Sequence, residues 1–331
     1  MRFSLISPTF KRPEEVTEFL ESLLLQQYDD FEVILGDGTP GDTLRPQLVR
    51  FENNSKYSLK IVYEEFLPVS EARNRAAAEA KGEYLIFFDS DCIIPSGYLQ
   101  AVDKHLKVDP LDAFGGPDMA HSEFTDLQKA ISYSMTAFLT TGGIRGKQNS
   151  VGTYHPRGFN MGMRRQVFEE LGGYSEFRCG EDIELSIRII KAGYRVGLIP
   201  EAHVYHKRRT TVKQFFRQVF RFGAARINIW KRHPAEMKIT HLFPFLFMTG
   251  SAAVVMLFLF ANHWYWTRTL FGLLLLYLLL IFFDSLRQNK SLRVAILSLV
   301  TTVVMHYGYG WGFFRNWWSW TVAGRTGGMK L

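Results

Sequence analysis

The chain has 331 residues, and its 39 Lys and Arg exceed its 32 Asp and Glu to give a formal net charge of +7. Residues 207–238 hold ten Lys or Arg and one acid, so the remainder of the chain is close to neutral. Basic charge directly before apolar segments indicates an anionic membrane surface and argues against nucleic acid as a partner. The two cysteines, Cys92 and Cys179, have no spacing typical of a disulfide framework or a metal site.

The composition divides the chain into two parts. Residues 1–204 mix apolar strands, helical patterns and Gly-rich turns, whereas residues beyond 241 are rich in Leu, Phe, Val and Trp. The mean hydropathy of −0.05 averages these two parts. Because a first strand is predicted at residues 3–7, with no signal peptide before it, we expect the first part on the cytosolic side of a membrane.

Helix and strand patterns alternate through residues 1–91, as in a parallel α/β sheet. Strands are predicted at residues 3–7, 31–35, 59–63 and 84–88. After the first strand, apolar residues at helical spacing predict a helix with one buried stripe, formed by Val16, Phe19, Leu20, Leu23 and Leu24. Ser70 is the predicted cap of a helix at residues 71–81, and Gly82 is its predicted stop.

Asp89 and Asp91 follow the strand at residues 84–88, whose side chains are all apolar or aromatic. Ligands of an open α/β sheet bind at the carboxyl ends of its strands, where Thr9 and Asp37 also lie. Alternation along an extended chain puts both Asp on one side, and two carboxylates suit a divalent cation that keeps positions for phosphate and water. Taken alone, the Asp-x-Asp pattern fits an acidic turn equally well.

The pattern loosens over residues 92–206. A short strand at 113–115, a helix at 125–141, a mobile loop at 142–152, a strand at 159–163, a helix at 166–171 and a strand at 195–199 are predicted. Glu181 and Asp182 open a further helix, whose dipole favours an ionised carboxylate in its first turn. On this pattern alone, Asp182 also fits an ordinary helix-start acid. His203 and His206 follow the last strand.

Taken in order, these stretches resemble the family 2 glycosyltransferases, which have the GT-A fold and use nucleotide-activated sugars, and in particular their membrane-anchored bacterial members. The resemblance covers about residues 3–222. The matching motifs are Pro8-Thr9-Phe10, Gly36-Asp37-Gly38-Thr39, Ala72-Arg73-Asn74, Asp89-Ser90-Asp91, Phe159-Asn160-Met161, Gly172-Gly173-Tyr174, Gly180-Glu181-Asp182 and Gln218-Val219-Phe220-Arg221-Phe222. Two positions depart from the family pattern, because Gly36 replaces an Asp and Phe222 replaces a Trp.

The resemblance implies a role for each motif. The residues implied to bind the nucleotide sugar are Pro8, Thr9, Asp37, Arg73, Asp89, Gln218 and Arg221, with Asp37 and Arg73 at the base. Asp91 would ligate Mg²⁺ or Mn²⁺, Asp89 would either share the metal or contact the ribose, and His206 would be a further metal ligand or a diphosphate contact. Asp182, paired with Glu181 in the catalytic motif, would be the general base that takes a proton from an acceptor hydroxyl, with inversion at the anomeric carbon.

Three apolar spans are predicted at residues 242–261, 270–283 and 294–314, and the first and third have the roughly 20 residues needed to cross a bilayer. The middle span reaches that length when its aromatic lead-in, Trp264-Tyr265-Trp266, lies at the interface. Basic flanks before residue 242 and at 287–290 favour a cytoplasmic position for both, and the side of the C-terminus stays open.

Residues 210–232 alternate aromatic and basic side chains, which predicts an amphipathic helix on the cytoplasmic leaflet. In this interpretation Gln218 and Arg221 turn toward the active site. A solvated basic face that serves only as a membrane anchor is the alternative.

The expected fold is α/β: a GT-A (Rossmann-like, mostly parallel sheet) catalytic domain followed by an α-helical transmembrane region. The catalytic domain takes residues 1–206, with a nucleotide-sugar-binding half at 1–91 and an acceptor half at 92–206. Residues 207–240 form a basic amphipathic interface segment, and residues 241–331 form the transmembrane region.

The expected activity is metal-dependent, inverting transfer of a hexosyl group from a nucleotide sugar to a hydroxyl of a membrane-linked acceptor. That acceptor is a polyprenyl-diphosphate saccharide or a glycolipid, in envelope polysaccharide or glycan synthesis at the inner membrane.

A polyprenyl-phosphate sugar synthase is less favoured, because an ionised phosphate needs no base such as Asp182. A processive polysaccharide synthase is disfavoured, because three spans are too few to enclose a channel in one chain. A catalytically silent sugar-nucleotide-binding scaffold subunit would be expected to lack Asp89, Asp91 or Asp182. The donor sugar, the choice between Mg²⁺ and Mn²⁺, and the oligomeric state stay open at this point.

Overall fold

The computed structural model describes residues 1–142, 154–261 and 264–322. These residues divide into two compact units. The first is formed by residues 1–121 and 154–207, and the second by residues 122–142, 208–261 and 264–322. The sequence-based division counts residues 122–142 with the acceptor half, whereas in the structure they belong to the second unit.

Where the structure describes the chain, its strands all belong to the first unit. In chain order they are β1 (Phe3–Thr9), β2 (Phe31–Asp37), β3 (Ser58–Tyr63), β4 (Tyr84–Phe88), β5 (Cys92–Ile93), β6 (Ala113–Gly115), β7 (Asp118–Met119), β8 (Asn160–Arg164), β9 (Val196–Leu198) and β10 (Val204–His206). The α-helices of the described residues are α1 (Pro13–Leu24), α2 (Arg45–Glu52), α3 (Val69–Ala78), α4 (Tyr98–Val108), α5 (Asp126–Thr136), α6 (Phe138–Thr141), α7 (Arg165–Glu170), α8 (Glu181–Lys191), α9 (Val212–Arg232), α10 (Phe243–Ala261), α11 (Tyr265–Asn289) and α12 (Leu292–Thr321). Of these, α5, α6 and α9 to α12 lie in the second unit.

The main sheet has the strand order β3-β2-β1-β4-β8-β6-β9. Strands β1 to β4 run parallel, whereas β8 is antiparallel to both of its neighbours. A smaller sheet has the order β5-β10-β7. Because β1, β2 and β4 are parallel and adjacent, their carboxyl ends lie on one edge, where ligands of such sheets bind. The predicted mostly parallel α/β sheet is therefore confirmed.

Alternating residues of the central strands fill two apolar layers, one on each face of the sheet. In β4, Ile86 and Phe88 belong to one layer, and Leu85 and Phe87 belong to the other. All five residues of β4 are buried, which confirms the interpretation of this run as a central strand. Each such side chain contributes roughly 1.5–3 kcal/mol on full burial. The strand that delivers Asp89 to the sheet edge is therefore anchored in apolar core on both faces.

Several local predictions differ from the structure. Helix α3 begins after Pro68 and ends at Ala78, and Ser70 does not cap it but donates to the Phe177 carbonyl at 2.9 Å. Gly82 has a packing role instead of a stop role, because a Cβ there would lie 2.5 Å from the Ser4 backbone nitrogen. Helices α2 and α4 were not predicted. Apart from its first residue, the loop predicted at residues 142–152 lies outside the described residues.

Helices α10, α11 and α12 are each long and apolar enough to cross a membrane. They contain 19, 25 and 30 residues, and their most apolar windows have mean hydropathies of 2.1, 2.2 and 1.3. The three predicted spans are confirmed as helices of this kind, although α12 extends well beyond the predicted residue 314. Its window is also the most buried, because the other helices of the second unit pack around it.

Helix α9 packs along the C-terminal half of α12. A Cβ at Gly312 would lie 2.0 Å from the Phe220 carbonyl oxygen, so the two helices approach closely at this glycine. Four residues further on, Asn316 Nδ2 donates to the Ala224 carbonyl at 2.6 Å and to Asn228 Oδ1 at 3.0 Å. The apolar face of α9 is thus covered by α12.

Candidate active site

The end of β2 forms a turn around one carboxylate. Thr9 Oγ1 donates to Asp37 Oδ1 at 2.9 Å, and Thr39 donates to the same oxygen through its hydroxyl at 2.7 Å and its backbone N–H at 3.0 Å. Asp37 Oδ2, in contrast, is buried and has no hydrogen-bond partner among the described residues. A buried acceptor without a donor costs about 1–3 kcal/mol, so this oxygen is suited to accept an N–H from a ligand. Pro8 lies beside this turn, opposite Gly36 in the β1–β2 register.

Gly36 departs from the family pattern for a packing reason. A Cβ at this position would lie 2.4 Å from the Ala72 carbonyl oxygen and 2.8 Å from its carbonyl carbon. Helix α3 therefore crosses β2 so closely that no side chain fits. The Asp of the family pattern has no room in this chain, and the turn relies on Asp37 alone.

We expect Gly36→Ala to lower the free energy of unfolding by about 1–3 kcal/mol, because overpacking forces backbone shifts. Denaturant unfolding of the detergent-purified chain measures this change. Gly97→Ala is the matched control, since a Cβ there meets nothing within 4 Å. Equal stability losses in both variants would contradict the close approach at Gly36.

Asp89, Asp91 and His206 come together where β4 ends. His206 Nε2 lies 3.1 Å from Asp91 Oδ1 and 3.8 Å from Asp89 Oδ2. Ligand atoms of Asp91, Cys92 and His206 lie within 4.8 Å of one another. Carboxylates suit Mg²⁺ and Mn²⁺, and imidazole is a ligand of transition-metal ions. Cys92 Sγ donates to the Phe159 carbonyl at 3.6 Å, so the oxygen and imidazole donors are the ones that fit a divalent cation.

The small sheet assembles this cluster. Strand β5 follows Asp91 directly, and β10 pairs with it so that His206 stands opposite Cys92. Strand β7 pairs with the other side of β10 and brings Asp118 Oδ2 to 4.0 Å from His206 Nδ1. The Phe159 ring stacks on the imidazole, with ring centres 4.9 Å apart. The imidazole is thereby oriented with Nε2 toward Asp91.

A cation lies beside the same carboxylate. Arg12 Nη1 is 3.7 Å from Asp91 Oδ2 and 2.9 Å from Glu15 Oε2. The Arg12 side chain is 45% exposed, so solvent screens the contact and the guanidinium can exchange partners. Arg12 is not among the site residues predicted from the sequence, although its place at the start of α1, directly after the Pro8-Thr9 turn, is a signal that could have found it.

Arg73 is buried between the two halves of the site. Its Nη2 donates to Asp89 Oδ1 at 2.7 Å and its Nη1 donates to Glu181 Oε1 at 2.8 Å, while Cζ lies 5.1 Å from the centre of the Tyr174 ring. Burial lowers the pKa of Arg73, but Tyr174 and the nearby carboxylates raise it by more, so the guanidinium stays charged. The structure thus shows Arg73 between carboxylates, and its predicted contact with a nucleobase stays a prediction.

Glu181 and Asp182 occupy the first turn of α8. Gly180, with a φ of +81°, makes the left-handed turn that starts the helix. Asp182 Oδ2 accepts the Gly158 N–H at 3.0 Å, and Oδ1 accepts the Ile183 N–H at 2.8 Å. Burial raises the pKa of Glu181, and the ion pair with Arg73 only partly opposes this. The two neighbouring carboxylates therefore have different environments: Glu181 is paired with Arg73, and Asp182 accepts the backbone N–H groups of Gly158 and Ile183.

Gln218 and Arg221 lie on α9, in the second unit. Gln218 is half-buried and Arg221 is exposed. Their assignment to the nucleotide sugar stays a prediction. Within the first unit, by contrast, the structure brings together the predicted Asp89, Asp91 and His206, and it links Asp89 to Glu181 through Arg73.

The fold and the site together define a class of protein. Among solved structures, the mannosyltransferase PcManGT from Pyrobaculum calidifontis, in complex with GDP-Man and Mn²⁺, matches with a TM-score of 0.62 at 18% identity, over 92% of this chain and 86% of that one. This likeness shows a GT-A fold. A model described as "Glycosyl transferase family 2" matches residues 4–172. The chain belongs to this family of glycosyltransferases.

Curated relatives act in glycan synthesis. The succinoglycan biosynthesis protein ExoA of Rhizobium meliloti is 30% identical over 178 residues, which cover 53% of this chain and 54% of that protein. The chain therefore matches about half the length of that relative. A Methanococcus voltae protein, named dolichyl N-acetyl-α-D-glucosaminyl phosphate 3-β-D-2,3-diacetamido-2,3-dideoxy-β-D-glucuronosyltransferase, is 24% identical over 335 residues, which cover 95% of this chain and 96% of that protein.

Proposed function

We propose that the chain is an inverting glycosyltransferase that moves a sugar from a nucleotide-sugar donor to a hydroxyl of a membrane-linked acceptor. The observation that carries the proposal is the arrangement around Arg73. One buried guanidinium contacts Asp89, beside the candidate metal ligands, and Glu181, beside the candidate base. The donor-side carboxylate Asp89 and the acceptor-side carboxylate Glu181 therefore lie next to each other. A single displacement needs this arrangement, because both substrates must be bound side by side.

The donor nucleoside is proposed to bind at the Asp37 turn. The buried Asp37 Oδ2 lacks a donor among the described residues, and a nucleobase N–H supplies one. The diphosphate then lies near Asp89 and Asp91, where Arg12 is an adjacent cation. Because its side chain is 37% exposed, Asp89 is accessible to a ribose hydroxyl or a metal ion.

Asp91, His206 and Asp89 are proposed to hold Mg²⁺ or Mn²⁺. PcManGT is described with Mn²⁺, and the carboxylate and imidazole donors here fit such an ion. When bound, a divalent cation stabilises the negative charge that develops on the leaving nucleoside diphosphate. The chain's own contribution is to orient the His206 ring through Phe159 and Asp118 and to place Arg12 beside Asp91.

Asp182 is proposed as the general base. Its oxygens accept two backbone N–H groups, which fix the position of the carboxylate. It accepts the proton of the acceptor hydroxyl as the oxygen attacks the anomeric carbon from the face opposite the diphosphate. One displacement of this kind inverts the anomeric centre. Glu181, held by Arg73, is proposed to support the site and not to transfer the proton.

The acceptor is proposed to be a polyprenyl-diphosphate saccharide or a glycolipid. The Methanococcus voltae relative, matched over nearly its whole length, is named for transfer to a dolichyl-linked sugar phosphate. The apolar helices α10 to α12 would hold such a lipid acceptor at the membrane. A base is needed for a sugar hydroxyl and not for a polyprenyl phosphate, so Asp182 favours the hydroxyl.

The domain assignment is part of the proposal. Residues 1–206 would be the catalytic domain, with the nucleotide-sugar half at 1–91 and the acceptor half at 92–206, although residues 122–142 of the acceptor half belong to the second compact unit. Residues 207–240 would be the interface segment. Residues 241–331 would form the transmembrane region of an inner-membrane protein. The basic residues at 207–238 favour a cytoplasmic position for the catalytic domain, by the positive-inside rule.

Transfer assays test this proposal. We expect membranes that contain the full chain to move label from one member of a panel of radiolabelled nucleotide sugars into lipid extract, with the opposite anomeric configuration in the product. Scintillation counting of the organic phase measures transfer, and NMR of the product gives the configuration. Membranes from cells without the chain are the control. Retained configuration would contradict the single displacement, and label on a bare polyprenyl phosphate would contradict the hydroxyl acceptor.

A further inference from the structure

We infer that Arg73 is a positioning residue that fixes the donor-side carboxylate Asp89 relative to the acceptor-side pair Glu181 and Asp182, and that position 158 is glycine to permit this. The inference rests on the proposed function and deepens it. The sequence motif assigns Arg73 to the nucleobase. Its contacts assign it a different role, inside the site, in place of a contact with the base.

The geometry of Arg73 fits a bridge. Its two terminal nitrogens bond to different carboxylates, Asp89 at 2.7 Å and Glu181 at 2.8 Å, and its side chain is only 3% exposed. A guanidinium presents separate N–H donors in a rigid plane, whereas a Lys ammonium is a point charge that cannot hold the same two partners in the same positions. The aromatic ring of Tyr174 lies against the guanidinium and restricts its movement.

Gly158 connects this bridge to the candidate base. Its backbone N–H donates to Asp182 Oδ2 at 3.0 Å. A Cβ at position 158 would lie 2.9 Å from Arg73 Nη2 and 3.2 Å from Arg73 Cζ, so any side chain would push the guanidinium away. One glycine therefore bonds to Asp182 on one side and packs against Arg73 on the other.

The bridge through Arg73 joins two segments that both contribute carboxylates to the site. Asp89 lies on the turn after β4 and Glu181 begins α8, so these carboxylates belong to segments that are distant in the sequence. Arg73, on α3, is the described side chain that bonds to both. If Arg73 no longer holds both carboxylates, the bound donor and the base that activates the acceptor are no longer aligned with each other, although both are still in the site. The expected loss is thus in kcat, since misplacement by about 1 Å costs about 10²-fold.

The test is a double-mutant cycle on the purified full chain. Arg73→Lys, Gly158→Ala and the double variant are compared with wild type for kcat and for the donor KM. We expect each single variant to lower kcat by about 10- to 100-fold with the donor KM changed by less than roughly threefold. Because both changes act through the same guanidinium, the double variant should lose little more than either single one.

Controls separate a positioning role from a loss of folding. Gly97→Ala, whose new methyl group meets nothing within 4 Å, should keep the wild-type kcat. Thermal unfolding of each variant checks that the fold is intact. If Gly158→Ala does not fold, Arg73→Lys alone still tests the inference, because a positioning role lowers kcat and leaves the donor KM nearly unchanged. A raised donor KM at unchanged kcat, or kcat losses that multiply in the double variant, would overturn the inference. Failure of the wild type to transfer sugar would instead overturn the proposed function.

Discussion

Asp182→Asn is expected to lower sugar transfer by about 10²–10⁴-fold, the usual contribution of a general base. The amide cannot take the proton of an acceptor hydroxyl. It also has a single oxygen, so one of the two backbone N–H groups that now bond to Asp182 loses its acceptor. Donor binding should change little, because no described contact joins Asp182 to the Asp37 turn or to the candidate metal ligands.

Initial rates of label transfer from the radiolabelled donor measure this effect, and nucleoside diphosphate inhibition measures donor-site binding. Glu14→Gln is the matched control, since Glu14 is also an acid in the first turn of a helix. It should keep the wild-type rate. If Asp182→Asn transferred at the wild-type rate, the acceptor would be an already ionised nucleophile, and a polyprenyl-phosphate acceptor would replace the hydroxyl in the proposed function.

The sequence predicted the parts of the site that sit on strong periodic patterns. The all-apolar run of β4 predicted a central strand, and the position of Asp89 and Asp91 at its end followed from sheet topology. The sequence also predicted that a helix opens at Glu181 and Asp182, and α8 begins at Glu181. Long, regular elements of this kind bury one face or both, so their pattern is visible in the residues themselves.

The rest of the site depends on contacts that no local pattern contains. His206 reaches Asp91 because β10 pairs with β5, and these strands have three and two residues, too few to show a period. Asp118 reaches His206 through the equally short β7. Gly158 showed no signal at all, because its role depends on where the guanidinium of Arg73 lies in space.

The second unit shows the same limit. Composition predicted α12 as a membrane span, but not which of its faces is covered. Polar residues on α12 meet partners on other helices of this unit: the Thr301 hydroxyl lies 2.6 Å from that of Ser134, and Asn316 donates to α9. These hydrogen bonds satisfy the polar groups of α12. The helix can therefore be partly buried although the mean hydropathy of its most apolar window is only 1.3. The helix is both a candidate span and the centre of packing in its unit.

Asp91→Asn and His206→Ala are expected to weaken Mn²⁺ binding by at least about 100-fold each, because even the outer partners of metal ligands are worth about 10–100-fold. Asn keeps one neutral oxygen in place of a charged carboxylate, and Ala removes the nitrogen that lies 3.1 Å from Asp91. Titration of the purified chain with Mn²⁺, followed by electron paramagnetic resonance of the free ion, measures the affinity without any need for turnover. EDTA should also abolish transfer by the wild type.

His203→Ala is the matched control for this experiment. His203 lies three residues before His206, but its ring packs edge-on against Tyr205, with ring centres 5.5 Å apart, and no contact with Asp91 is found among the described residues. Its loss should leave Mn²⁺ affinity unchanged. A cluster that binds Mn²⁺ equally well without Asp91 or His206 would show that these residues are not ligands, and wild-type turnover in EDTA would exclude a divalent ion from the reaction. Intact Mn²⁺ binding in the His206 variant alone would instead assign that imidazole to the donor diphosphate.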